Sequence, residues 1–195
     1  MLNVSASNAV YTKLAAAIQE HMGHAVIIPD LRGHGKSTER RNPQDINGRL
    51  KINREKFAKA EFTSVIQDVE ACKAFLKSEN DEGQVNLEKL TVIGSDVTAI
   101  IALNWAALDW NKPGGGFIRN GQDVKALILF TPLQSHKGLT PQLGMSHPTV
   151  KQNMNILIIA GKQNAQYFSE SKRLHNQLTR FHKDQENSDG SINWS

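Results

Sequence analysis

The chain has a single cysteine, Cys72, among its 195 residues. One thiol excludes a disulfide framework and a cysteine-based metal site. Long apolar runs are also missing, since no segment approaches the roughly 20 residues that a membrane-spanning helix needs. The first residues lack the basic stretch and apolar run of a signal peptide. We therefore expect a cytoplasmic protein with no metal site and no membrane partner.

The sequence also lacks a one-sided charge distribution and a dinucleotide fingerprint. The 23 lysines and arginines outnumber the 19 acidic residues by only four, and the two signs are interleaved along the chain. This pattern is typical of a solvated surface, so we expect no nucleic-acid partner. No predicted strand is followed by Gly-x-Gly-x-x-Gly, which excludes a Rossmann-type cofactor site. We expect no cofactor.

Hydrophobic residues follow two patterns, a helical spacing and short continuous runs. The predicted helices are 9–22, 61–79, 97–110 and 168–181, and the predicted strands are 25–29, 90–93, 124–130 and 155–160. Apolar strands separated by helices are typical of a parallel sheet with helices on both faces. The sequence therefore predicts an α/β fold with a mostly parallel sheet, formed by one domain over residues 1–195.

The remaining segments are polar or rich in turn residues. Residues 39–60 are highly charged and contain Pro43 and Gly48, which predicts an exposed loop with at most one short helix. The stretch 183–195 is polar and is predicted to be a disordered tail.

One turn carries most of the functional information. Residues 90–99 read Leu-Thr-Val-Ile-Gly-Ser-Asp-Val-Thr-Ala, a strand that enters a helix through a tight turn. This matches the nucleophile elbow Gly-x-Ser-x-Gly at Gly94, but Asp96 takes the nucleophile position and Thr98 that of the second glycine. We expect Thr98 to strain the helix–strand contact by about 1–3 kcal/mol, unless small neighbours such as Ala99 and Ala102 compensate.

Three segments, in the right order, resemble the α/β-hydrolase superfamily over about residues 9–182. Residues 26–37 end in Asp-Leu-Arg-Gly-His-Gly-Lys-Ser, which is similar to the family's Asp-x-Arg-Gly-x-Gly-x-Ser. The elbow follows, and residues 156–164 resemble the strand that ends in the family's acid. The resemblance implies an α/β-hydrolase-like sheet, with Asp96 at the nucleophile position and Asn164 at the acid position.

The chain also departs from this family. A catalytic histidine should follow a further strand after residue 181, where the sequence is polar. Only eight residues precede the first helix, so we expect a sheet that is incomplete at both ends, from a truncated chain or one that closes its sheet with residues 1–4. The connection between 124–130 and 155–160 is too short for a cap domain. The histidines considered for catalysis are His34, His136, His147, His175 and His182.

Two functions remain open. The first is a catalytically impaired or inactive protein that binds a small-molecule ligand or a partner in the crevice of the former active site. The alternative is a hydrolase that acts on a small ester or alkyl substrate with Asp96 as nucleophile, since a carboxylate can attack a saturated carbon and form an ester. An imidazole within about 4 Å of the Asp96 carboxylate would favour the hydrolase.

Overall fold

The computed structural model describes residues 9–113, 120–181, 185–186 and 192–193. The helices are α1 (Ala9–Met22), α2 (Lys59–Asp81), α3 (Val97–Trp110), α4 (Gln142–Ser146), α5 (Pro148–Gln152) and α6 (Ala165–Thr179). The strands are β1 (Glu39–Asn42), β2 (Asp45–Lys51), β3 (Leu90–Ser95), β4 (Val124–Phe130), β5 (Asn155–Ile159), β6 (Gln185–Glu186) and β7 (Ile192–Asn193). The predictions for α1, α3 and β4 match these bounds, which confirms them.

Strands β3, β4 and β5 form a parallel sheet in that order. The register places Ile93 beside Ile128, and Ile128 beside Leu157. Because parallel strands run in one direction, all three carboxyl ends lie at the same edge of the sheet. This confirms the predicted α/β class with a parallel sheet, and it brings the elbow next to the ends of β4 and β5.

Helix α3 lies against one face of this sheet. It is apolar nearly all the way round, and the residues from Val97 to Ala107 are all buried. The sheet residues that pack in the same core are Val92, Leu127, Leu129, Ile156 and Ile158. A helix without a polar face must be covered on all sides, and α2 and α4 also contact α3.

The opposite sheet face is covered unevenly. At its β3 side, Tyr11 of α1 shares a hydrogen bond of 2.9 Å with the Ser95 hydroxyl. At its β5 side, the side chains of Leu157 and Ile159 are 53% and 42% exposed. Helices therefore lie around the sheet, but within the described residues the β5 edge of this face is open.

The strand predicted at 25–29 is wrong, since the structure gives this segment no regular element. A run of β-branched residues becomes a strand only where a neighbouring strand completes its hydrogen-bond ladder. Among the described strands, the parallel sheet ends at β3. The neighbour expected for 25–29 was the segment 1–4, which lies outside the described residues.

The loop predicted at 39–60 is also wrong in part. Strands β1 and β2 pair antiparallel, with Glu39 opposite Lys51. The turn between them is set by Asn42, whose Oδ1 accepts the Gln44 N–H at 3.1 Å. Charged, exposed strands lack the hydrophobic alternation by which a hairpin is predicted.

The tail at 183–195 is predicted to be disordered. Only β6 and β7 of this segment are described, so its disorder stays a prediction.

A buried ion cluster joins α2, α3 and the start of β4. The Nζ atom of Lys73 contacts Asp109 Oδ1, and it lies 2.6 Å from Asp123 Oδ2. Asp109 Oδ2 also accepts the backbone N–H groups of Asp123 and Val124 at 2.7 and 3.1 Å. Burial disfavours the charge on Lys73, but the two carboxylates outweigh it and raise the pKa of the ammonium. The cluster fixes where β4 begins.

We predict that Lys73→Met lowers the free energy of unfolding by about 3–5 kcal/mol, because it leaves two buried carboxylates without their cation. Urea denaturation of the purified protein measures the change. Lys13→Met is the matched control, since Lys13 is exposed on α1 and its replacement should stay within about 0.5 kcal/mol. Equal losses in the two variants would contradict a stabilising role for the cluster.

Candidate functional site

The turn between β3 and α3 is built on a close backbone approach at Gly94. A Cβ atom at this position would lie 2.7 Å from the carbonyl oxygen of Thr98 and 2.9 Å from the amide nitrogen of Ala99. Both neighbours are backbone atoms, so neither can move without shifting the helix. Only glycine therefore lets α3 start directly above the end of β3.

Asp96 lies at the tip of this turn with φ of 50° and ψ of −116°. This is a strained conformation for a residue other than glycine, and such strain is concentrated at functional sites. The backbone N–H of Asp96 donates to the carbonyl of Phe130 at 3.0 Å, which ties the turn to β4. The elbow geometry is thus kept, with a carboxylate in the place where the family pattern has serine.

Burial raises the pKa of the Asp96 carboxyl above its ordinary value, and a hydrogen bond from Thr131 acts in the opposite direction. Thr131 Oγ1 donates to Asp96 Oδ1 at 3.2 Å. Among the described residues, this is the carboxylate's hydrogen-bond partner, and its Oδ2 atom accepts no bond. The half-buried Oδ2 can therefore accept a donor from a bound molecule.

Thr131 was not predicted as a site residue. It follows β4 directly, and its own φ is 43°, which is rare for a β-branched residue. Its backbone N–H donates to the carbonyl of Ile159 at the end of β5. Its position one residue after a predicted parallel strand, beside the elbow strand, was the signal that could have placed it next to Asp96.

Thr98 has a different role from the one expected. Its Oγ1 atom donates to the carbonyl of Ser95 at 2.8 Å and accepts the N–H of Ser95 at 2.9 Å. Thr98 is fully buried, as are Ala99 and Ala102. Thr98 thus forms two hydrogen bonds across the turn, and the strain expected from its side chain stays a prediction.

Asn164 begins helix α6 rather than facing the elbow. Its side-chain oxygen accepts the N–H of Tyr167 at 3.1 Å, which makes it the N-cap of the helix. The residue is exposed. This explains why α6 starts at Ala165, earlier than predicted, and it gives the amide a structural partner.

The described histidines lie elsewhere. His136 packs edge-on against the ring of Phe62 at a centroid distance of 5.1 Å, and burial lowers its pKa. His34 bonds through Nδ1 to the carbonyl of Arg32, and His175 is exposed on α6. No described histidine, His147 included, forms a hydrogen bond with Asp96. His182 lies outside the described residues.

The Arg-Gly-His-Gly loop is held by ionic contacts. The guanidinium of Arg32 binds the carboxylate of Asp68 on α2 in a forked pair, at distances from 2.7 to 3.1 Å. The Asp30 carboxylate accepts the N–H of Lys36 at 3.0 Å and fills the space above Gly35. These contacts fix the loop against α2, which is a structural role.

Among the residues that the structure describes, no group of three or more His, Cys, Asp or Glu side chains could hold a metal ion. Within the same residues, every helix is too short or too polar to cross a membrane.

A comparison with known protein families identifies the family of this chain. The family model for the alpha/beta hydrolase fold matches residues 4–184, which is nearly the whole chain. The chain therefore belongs to the α/β-hydrolase family. No curated protein and no solved structure gives a significant match.

We predict that Asp96→Gly is more stable than Asp96→Ala by about 1 kcal/mol. Both changes remove the carboxylate, but only glycine adopts φ of 50° without strain. Thermal or urea unfolding of the two variants gives the difference.

Asp81, exposed in the last turn of α2, supplies the control pair. In a helix, alanine is more stable than glycine by up to about 1 kcal/mol, so the order should reverse there. If alanine is also the more stable residue at position 96, the turn is not strained as described.

Proposed function

We propose that this chain is a non-hydrolytic member of the α/β-hydrolase family, which binds a small ligand in the crevice above Asp96. The observation that carries the proposal is the partner of the Asp96 carboxylate. That partner is the hydroxyl of Thr131, where a hydrolase would need an imidazole.

Hydrolysis through Asp96 would require two steps. The carboxylate would attack the substrate carbon, displace the leaving group and form an ester, and a base would then activate water to cleave that ester. Within the described residues, no histidine is hydrogen-bonded to Asp96 to act as that base. The acid position holds Asn164, an exposed amide that caps α6. A neutral amide cannot stabilise an imidazolium as a carboxylate does.

Two observations at Asp96 support binding. The residue is half-buried, which raises the pKa of its carboxyl, and its Oδ2 atom accepts no hydrogen bond from the described residues. A buried carboxylate gains more from a cation or a donor than an exposed one does. We therefore propose a ligand that carries an amino or hydroxyl group, directed at Asp96 Oδ2.

The hydrolase remains the second candidate, and the backbone of Asp96 favours it. Its strained φ of 50° is the kind of conformation by which a nucleophile elbow exposes its reactive side chain.

Turnover assays separate the two functions. We expect p-nitrophenyl acetate, styrene oxide and 1-bromobutane to be hydrolysed no faster by the purified protein than by Asp96→Ala, within about twofold. Intact mass should show no butyl group added after incubation with 1-bromobutane. Asp81→Ala is the matched control, because it removes an exposed carboxylate from α2. Turnover or alkylation that Asp96→Ala abolishes and Asp81→Ala keeps would establish the hydrolase instead.

A titration with n-butylammonium as the probe tests the binding half of the proposal. Amide NMR shifts should change in a saturable way near Ser95, Asp96 and Thr131. In Asp96→Asn, which keeps one side-chain oxygen as an acceptor but loses the charge, the affinity should fall about tenfold. Unchanged spectra at the elbow would contradict ligand binding there.

A further inference from the structure

A groove of about 500 Å³ lies between α6 and the segment that carries α4 and α5. Lys151 lines it from α5, while Arg173, Gln177 and Arg180 line it from the other side. A neighbouring hollow of about 480 Å³ shares the three residues of the α6 side and adds Lys172. Neither is lined by Asp96 or Asn164, so this region is separate from the elbow.

The charge of the groove is of one sign. Arg173, Gln177 and Arg180 follow one another at spacings of four and three residues, so their side chains share one side of the helix. No carboxylate lines either hollow. Four cationic residues line this region, and within the described residues none of them forms a salt bridge: Lys151, Lys172, Arg173 and Arg180. The cations therefore repel one another, and a bound anion would relieve that repulsion.

Part of the groove's lining is apolar. The Phe181 ring is 40% exposed and lies beneath the Lys151 ammonium, whose Nζ atom is 3.5 Å from the ring centroid. Met145, half-buried on α4, is also part of the lining. The volume falls within the range of about 300–1,000 Å³ that is typical of small-molecule sites. Cations beside an apolar wall suit a ligand with one anionic and one apolar part.

We propose that this groove binds a small organic phosphate. The planar guanidinium groups of Arg173 and Arg180 match the geometry of phosphate oxygens and hold them through charge-assisted hydrogen bonds. The organic part of the ligand, aromatic or aliphatic, lies against Met145 and Phe181. No bond to the ligand is made or broken, and the site does not depend on whether Asp96 is reactive.

Phenyl phosphate tests the site, with inorganic phosphate as the comparison, in calorimetric titrations at low salt. We expect saturable binding of one phenyl phosphate per chain, at least about threefold tighter than that of inorganic phosphate because the ring is partly buried. The double variant Arg173→Gln and Arg180→Gln should weaken phenyl phosphate binding about tenfold or more.

The matched control removes two positive charges from the exposed β1–β2 hairpin, as Arg40→Gln with Arg49→Gln. This variant should bind phenyl phosphate within about twofold of the unchanged protein. Three results would overturn the proposal: no saturable binding below about 10 mM, equal weakening in both double variants, or equal affinity for phenyl phosphate and inorganic phosphate.

Discussion

Helix α3 meets strand β3 so closely at Gly94 that a Cβ there would lie 2.7 Å from the carbonyl oxygen of Thr98. This contact determines the rest of the architecture. It allows an almost wholly apolar helix to lie flat on the sheet, where it is covered by α2 and α4. It also forces the connecting residue, Asp96, into a positive φ. The fold and its candidate site thus depend on one backbone approach.

The two ends of the sheet differ in their side-chain interactions. At the amino end of β4, Lys73, Asp109 and Asp123 form a buried ion cluster that ties two helices to the strand. At the carboxyl end, Asp96 and Thr131 both adopt positive φ and share a hydrogen bond. A lysine shared by two buried carboxylates stabilises the first end. The second end has a strained backbone and a carboxylate oxygen that accepts no hydrogen bond within the described residues. Ligands of open α/β sheets bind at the carboxyl end, which agrees with this division.

Long periodic segments could be predicted from the sequence because their burial is set by local pattern. Helix α3 and strand β4 were bounded correctly, and the elbow was found from Gly94 and Asp96. The strand at 25–29 failed, since strand formation depends on a neighbour that no local pattern reveals. The β1–β2 hairpin was missed because its exposed faces carry charge on both sides.

Within the site, the positions of residues along the fold could be predicted from the sequence, but their hydrogen bonds could not. Asn164 lies in the turn that follows β5, and its side chain caps helix α6. Thr98 was judged by its size, whereas its hydroxyl bonds both backbone groups of Ser95. Thr131 belongs to no motif, and its position directly after β4, beside the elbow strand, was the signal for it. Hydrogen-bond geometry of this kind depends on tertiary structure.

Within the described residues, the Asp96 carboxylate at the elbow has no histidine as a hydrogen-bond partner. NMR titration of the imidazole groups tests this most directly, because the chain has seven histidines and the method observes them all. An imidazole in contact with an ionised carboxylate has a raised pKa, which Asp96→Asn would lower by about one unit. We predict that every histidine pKa changes by less than about 0.2 in this variant. A fall of about one unit at any histidine, His182 included, would show that this imidazole contacts the Asp96 carboxylate.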